Sequence, residues 1–277
     1  MKEITKETFE HYVPAFRTPG TEDDSTVWAA LQTHLGVAAA DQADRYGTHL
    51  PEETDGPAAR LLCLSAARRA MAGADLVLTS TGFGVVSNQN LAPASRDRVQ
   101  ALAEELRREE SRAADALAFG LLAAGGDWGD TPEAVRLVDS LMWNPTLVRR
   151  YGVTAPGRRE IYAEEYAELL PRIREAEQAA AALISPELME ALVARQRTAG
   201  SAGNPDYVLA TEKARRFMAA HLMADRYPGA VRPLARDLLD FVRRHADTLE
   251  EWRTSAVREA QEQPRYENTK SDPCFFF

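Results

Sequence analysis

Cysteine is scarce in this chain. Its 277 residues include two, Cys63 and Cys274, and that number sets up no disulfide framework. Cys63 falls in the apolar run Leu61-Leu62-Cys63-Leu64 and reads as a buried thiol. Histidine is also sparse, at His11, His34, His49, His221 and His245. No two of these stand at i,i+3 or i,i+4, and neither cysteine pairs with one at metal spacing, so no zinc site is expected. His34 sits beside an apolar helical stripe and reads as structural. Apolar runs are short. None approaches the roughly 18 residues needed to span a bilayer, so no membrane association is expected. Met1-Lys2-Glu3-Ile4-Thr5-Lys6-Glu7 has no signal-peptide core, and synthesis and folding in a cytoplasm-like compartment are expected. Positive charge is in deficit. The net charge of −9 argues against sequence-independent nucleic-acid binding, which needs a basic face to displace counterions.

The motifs of common chemistry are missing as well. There is no Gly-x-Ser-x-Gly elbow. The pair Gly82-Phe83-Gly84 lacks the third glycine and following helix of a dinucleotide fingerprint, and no Gly-Lys-Ser/Thr ends a phosphate loop. These glycines read as turn residues. Carboxylates such as Glu104-Glu105 and Glu164-Glu165 sit at helical spacing and read as solvated faces. No catalytic, cofactor-binding or metal-binding residue is assigned, and the chain is not expected to be an enzyme.

Helix dominates what is present. The 45% hydrophobic content is enough for a core, and much of it is alanine, which packs helices closely. Apolar periodicity predicts helices over 3–13, from Asp24-Ser25 to about Tyr46, and over 58–74. A long helix follows from near Pro93 to Gly125-Gly126. Its stripe of Val99, Leu102, Leu106, Ala113, Leu117 and Leu121 runs over about 30 residues, or ~45 Å. Thr131-Pro132 opens a helix expected to reach Trp143. A loop from Tyr151 to Gly157 is the expected domain boundary. Further helices are expected over 158–170, 171–184, 186–198, 206–226, 231–246 and 248–260, and 263–277 reads as an extended C-terminal arm.

One stretch departs from helix. Leu76-Val77-Leu78-Thr79 and Val85-Val86-Ser87 are β-prone and flank Thr81-Gly82-Phe83-Gly84. This predicts a short hairpin near 76–87 with the glycines at its tip. The fold class expected is mainly α, a helical bundle with one short β-hairpin. Short matches keep their order between the halves, such as Arg68-Arg69-Ala70-Met71 with Arg215-Arg216-Phe217-Met218, and Pro93-Ala94-Ser95-Arg96-Asp97 with Pro233-Leu234-Ala235-Arg236-Asp237. They suggest that 1–150 and 158–262 are related helical domains, with coincidence among Arg- and Ala-rich helices as the alternative.

Three places invite contact with another protein. Gly82, Phe83 and Gly84 would expose an aromatic at a turn; the alternative is that Phe83 folds back on its own core. Trp128 stands in the loop Gly125-Gly126-Asp127-Trp128-Gly129-Asp130, where an exposed indole would anchor a contact. Phe275, Phe276 and Phe277 are costly to leave in water and would dock in an apolar groove, on this chain or on a neighbour. With Cys274 they have the literal form of a prenylation box, but nothing upstream is polybasic.

The run Leu-Thr-Ser-Thr-Gly-Phe-Gly-Val-Val-Ser-Asn with Ala-Pro-Ala-Ser-Arg-Asp-Arg-Val, within Leu76–Val99, resembles an uncharacterised family found in gut anaerobes, their phages and prophages. Tyr266-Glu267-Asn268 and the final phenylalanines also look like that family. The resemblance implies a virion structural protein, a head–tail connector or neck adaptor. Its partners would be a homo-oligomeric ring and neighbouring virion proteins, and DNA would at most slide non-specifically through an acidic lumen. The alternatives are a cytoplasmic helical protein-interaction module of a bacterium, which would stay monomeric or dimeric, and an enzyme, which would need convergent polar side chains in a pocket.

Overall fold

The computed structural model describes residues 3–16, 24–71, 76–79, 82–85, 96–153, 161–198 and 204–262; for 24–27, 76–79, 82–85, 96 and 126 the backbone alone is described. The chain is mainly helical. Helix α1 (Lys6–Tyr12) starts on Thr5, whose Oγ1 accepts from the Thr8 N–H at 3.2 Å, and Pro14–Phe16 form a 3-10 turn after it. Helix α2 (Asp24–Tyr46), a 3-10 turn (Glu52–Thr54) and α3 (Asp55–Met71) lead to two strands. Strands β1 (Leu76–Thr79) and β2 (Gly82–Val85) pair antiparallel, and α4 (Arg96–Ala124) follows.

These elements build a first core. Helix α3 lies between α2 and α4. It can do so because it turns small residues inward: Ala58, Cys63, Ala66 and Ala67 are fully buried beside Leu62 and Leu64. Helix α4 presents the stripe that the sequence predicts, with Leu106, Ala113, Leu117 and Leu121 buried.

Past a 3-10 turn (Gly126–Asp130), Thr131 caps α5 (Pro132–Leu137), with Pro132 in its first turn. This helix ends at Leu137, short of the expected Trp143. Helix α6 (Pro145–Arg150), capped by Asn144, occupies ground expected to be a stop. The residues between, Val138 to Asn144, are buried except for Asp139 and are not helical.

Helices α7 (Ala163–Ile184), α8 (Pro186–Arg195), α9 (Pro205–Leu222), α10 (Val231–Arg244), α11 (Glu250–Arg253) and α12 (Ala256–Glu262) build the second core. The break expected at Pro171 is absent, since α7 runs through it. Proline costs a helical hydrogen bond, but Ile173, Ala176, Ala180 and Ile184 keep one buried face against α9 and α8, and that packing holds the helix together. The last expected helix is two, α11 and α12, divided at Thr254-Ser255; the Ser255 Oγ accepts from the Arg258 N–H at 3.2 Å and so caps the second. Trp252 anchors this corner as a fully buried side chain.

The first core takes residues up to Leu147 and the second takes residues from Leu141, so the chain crosses between them inside one short segment. For the suggested duplication, Pro233 lies in the first turn of α10, while Pro93 lies outside the described residues.

Candidate interaction site

The hairpin differs in detail from its sequence reading. The ladder pairs Leu76 with Val85, Val77 with Gly84, Leu78 with Phe83 and Thr79 with Gly82. Gly82, Phe83 and Gly84 therefore belong to strand β2 and are not the tip. The link lies at residues 80–81, outside the described residues, as do Val86 and Ser87. A two-residue link sets the register of a hairpin, and the register decides which residues enter the ladder. Among the described residues the sheet has these two strands alone, and each strand packs mainly on the other.

Trp128 is not an exposed anchor. It is 5% exposed, and its Nε1 donates to the Tyr46 carbonyl at 2.8 Å. The indole closes the first core where α2 ends. Next to it, Gly129 lies against the main chain of Arg197, so that a Cβ there would stand 2.2 Å from the Arg197 oxygen. Both observations explain a glycine-flanked tryptophan: the loop is tucked under the second lobe. Phe275, Phe276 and Phe277 lie outside the described residues.

The junction between the lobes holds the polar convergence that sequence spacing could not reveal. Five consecutive carbonyls, Val138 to Met142, each accept from a side chain of the second lobe. Arg197 donates to Val138 at 3.1 Å, Arg174 to Asp139 at 2.9 Å and Gln196 to Ser140 at 3.2 Å. Arg215 Nε donates to Leu141 at 2.9 Å and Tyr166 to Met142 at 2.9 Å. These bonds replace the helical ones the segment forgoes, which is why it can be buried yet irregular. Glu177 joins them, with its carboxylate accepting from Ser140 and the Leu141 N–H; burial pushes this acid above its ordinary range.

A cleft of about 230 Å³ opens beside the junction, between α2, α3, α4 and the start of α7. Three of its four arginines are paired with acids, and Arg45 lies over the Tyr46 ring at 5.2 Å. Arg69 pairs with Asp41 and Arg68 with Glu110. Arg107 bonds Glu164 at 2.7 Å and lies over the Tyr162 ring at 4.1 Å, while the Tyr162 hydroxyl donates to Glu104 at 2.6 Å. The Arg107 hydrogen bond holds the Glu164 carboxyl below its usual range. Opposite charges at this spacing neutralise one another and fasten α7 to α4. Cys63, fully buried nearby in α3, has its thiol pushed up to about 12 by desolvation. Such a thiol is unreactive at neutral pH.

Elsewhere His245 Nδ1 meets Asp206 Oδ1 at 3.0 Å, and the Thr248 hydroxyl donates to Asp206 Oδ2 at 2.6 Å. This ties the start of α9 to the end of α10. No group of three metal-ligating side chains occurs among the described residues, and no helix there is long and apolar enough to cross a membrane.

Residues 33–127 match a family of unknown function, DUF6712. The match runs from within α2 through α3, the hairpin and α4 to the turn that carries Trp128. No curated protein matches the chain, and no solved structure matches it.

Proposed function

We propose that this chain is a phage virion structural protein, a head–tail connector or neck adaptor, that works by protein–protein assembly into a ring. One observation carries the reading: the hairpin Leu76–Val85 is a two-stranded ribbon with neither outer edge paired among the described residues. An isolated hairpin is marginal in water, and unpaired strand edges are templates for another chain. A neighbouring subunit or virion protein adding a strand to this ribbon would satisfy both. The resemblance of Leu76–Val99 to the phage and prophage family supports the virion setting.

Light scattering and electron microscopy of the purified protein test this. Ring-shaped oligomers are expected. Replacing 76–85 by a short Gly-Ser linker should leave a folded protein that no longer assembles. A monomer or dimer indifferent to that replacement would point to a cytoplasmic interaction module and overturn the proposal.

A further inference from the structure

Helix α10 is strongly two-sided. Leu238, Phe241 and Val242 are buried against the second core, and the opposite side is solvent-exposed. On that side Arg232, Arg236 and Arg243 stand at i, i+4 and i+11, within one narrow stripe ~16 Å long. Arg232 and Arg236 have no ion-pair partner among the described residues, and Arg243 donates to the neutral Gln261 at 3.0 Å. Of the acids on this helix, Asp237 is answered by Lys213 at 2.6 Å, and exposed Asp240 alone stands in the stripe. Unanswered positive charge is an oddity in a chain of net charge −9.

The first lobe carries its complement. Glu52 and Glu53 lie on one 3-10 turn, and Asp127 and Asp130 on another. Both turns pack against α4, and Thr54 in the first approaches Gly120, one turn from the end of that helix. All four acids are exposed and none has an ion-pair partner among the described residues.

We propose that the α10 stripe of one copy docks on this acidic corner of the next copy, as the repeating contact of the oligomer. The inference rests on the reading of the chain as an assembly protein and names the chemistry of its subunit interface. The two patches lie on different lobes, so one copy can offer its stripe to a second copy and its acidic corner to a third, and such a head-to-tail contact forms a ring when its rotation closes. DNA is the less suitable occupant of the stripe, because Asp240 interrupts it and the surrounding charge repels phosphate. A mainly positive stripe meeting four acids is the complementary pairing of potentials that protein interfaces use.

The experiment is a charge swap read by sedimentation at low and high salt, with circular dichroism as the control for folding. One variant carries Arg232→Glu, Arg236→Glu and Arg243→Glu. The other carries Glu52→Lys, Glu53→Lys, Asp127→Lys and Asp130→Lys. Wild type should associate at low salt and weaken as salt rises. Each variant alone should associate more weakly by about tenfold or more. An equimolar mixture of the two should associate again, because each supplies the sign the other lost. Wild type that stays monomeric, variants that associate as wild type does, or a mixture that fails to recover would each overturn the proposal. So would stripe variants that lose affinity for a DNA duplex while assembling normally. Assembly that depends on the hairpin but ignores both swaps would sink this interface and leave the proposed function standing.

Discussion

Arg215 Nε donates to the Leu141 carbonyl at 2.9 Å, joining α9 of the second lobe to the irregular segment where the chain leaves the first. The same guanidinium donates to Gln196, which in turn donates to the Ser140 carbonyl at 3.2 Å. Burial lowers the pKa of Arg215, yet the group sits among acceptors that keep it charged. The crossing between the lobes is thus held by side-chain donors acting on main-chain acceptors. Neighbouring carbonyls in one short segment have nowhere else to go.

Arg215→Met should therefore destabilise the protein by about 2–3 kcal/mol, because it strands the Leu141 carbonyl in a buried place. Arg215→Lys should recover part of the loss, since one donor remains but the fork does not. Urea unfolding of both variants checks this. Equal stability of Arg215→Met and wild type would show that the junction does not depend on the clamp.

Gly129 and Gly36 make a matched test of backbone approach. A Cβ at Gly129 would meet the Arg197 main-chain oxygen at 2.2 Å, whereas nothing lies within 4 Å of the same position at Gly36. Gly129→Ala should cost about 1–3 kcal/mol through forced movement of the main chain. Gly36→Ala, inside α2, should gain up to ~1 kcal/mol from helix propensity. Thermal melting of the two proteins should move in opposite directions.

Trp128 should behave as a core residue. Trp128→Phe keeps most of the ring and loses the 2.8 Å bond to Tyr46, leaving a buried carbonyl unanswered at a cost of about 1–3 kcal/mol. Assembly of the folded variant should be unchanged. A variant of normal stability that no longer assembles would instead restore the reading of this indole as a contact anchor.

Cys63 gives stability a signed dependence on pH. Its thiol lies at about 12 in the folded protein against an ordinary 9.0. Between those values the folded state keeps a proton that the unfolded state releases, so stability falls as pH rises through that window. In a Cys274→Ser background, Cys63→Ala should flatten the decline. In the same background an aromatic disulfide reagent at neutral pH should label Cys63 only as the protein unfolds. Rapid labelling of the native state would contradict the burial.

Local sequence determined the helices and where most of them begin. Thr131-Pro132 carries its start signal within a few residues, and the α4 stripe repeats at the helical period whatever lies opposite, whereas Asn144-Pro145 reads as a stop and turns out to cap and open α6. The β-propensity of Leu76 to Thr79 was legible for the same reason, because it is a property of neighbours along the chain. Tertiary packing decided the rest. Trp128 reads as exposed among glycines until α2 supplies the Tyr46 carbonyl, which is 82 residues away in sequence. Pro171 reads as a break until a shared buried face outweighs its lost hydrogen bond. Val138 to Met142 read as helix until five donors from α7, α9 and the end of α8 take their carbonyls. Propensity and capping act over one helical turn, whereas burial and donor supply depend on residues that meet only after the chain has folded, and spacing along a single sequence does not encode which of them will meet.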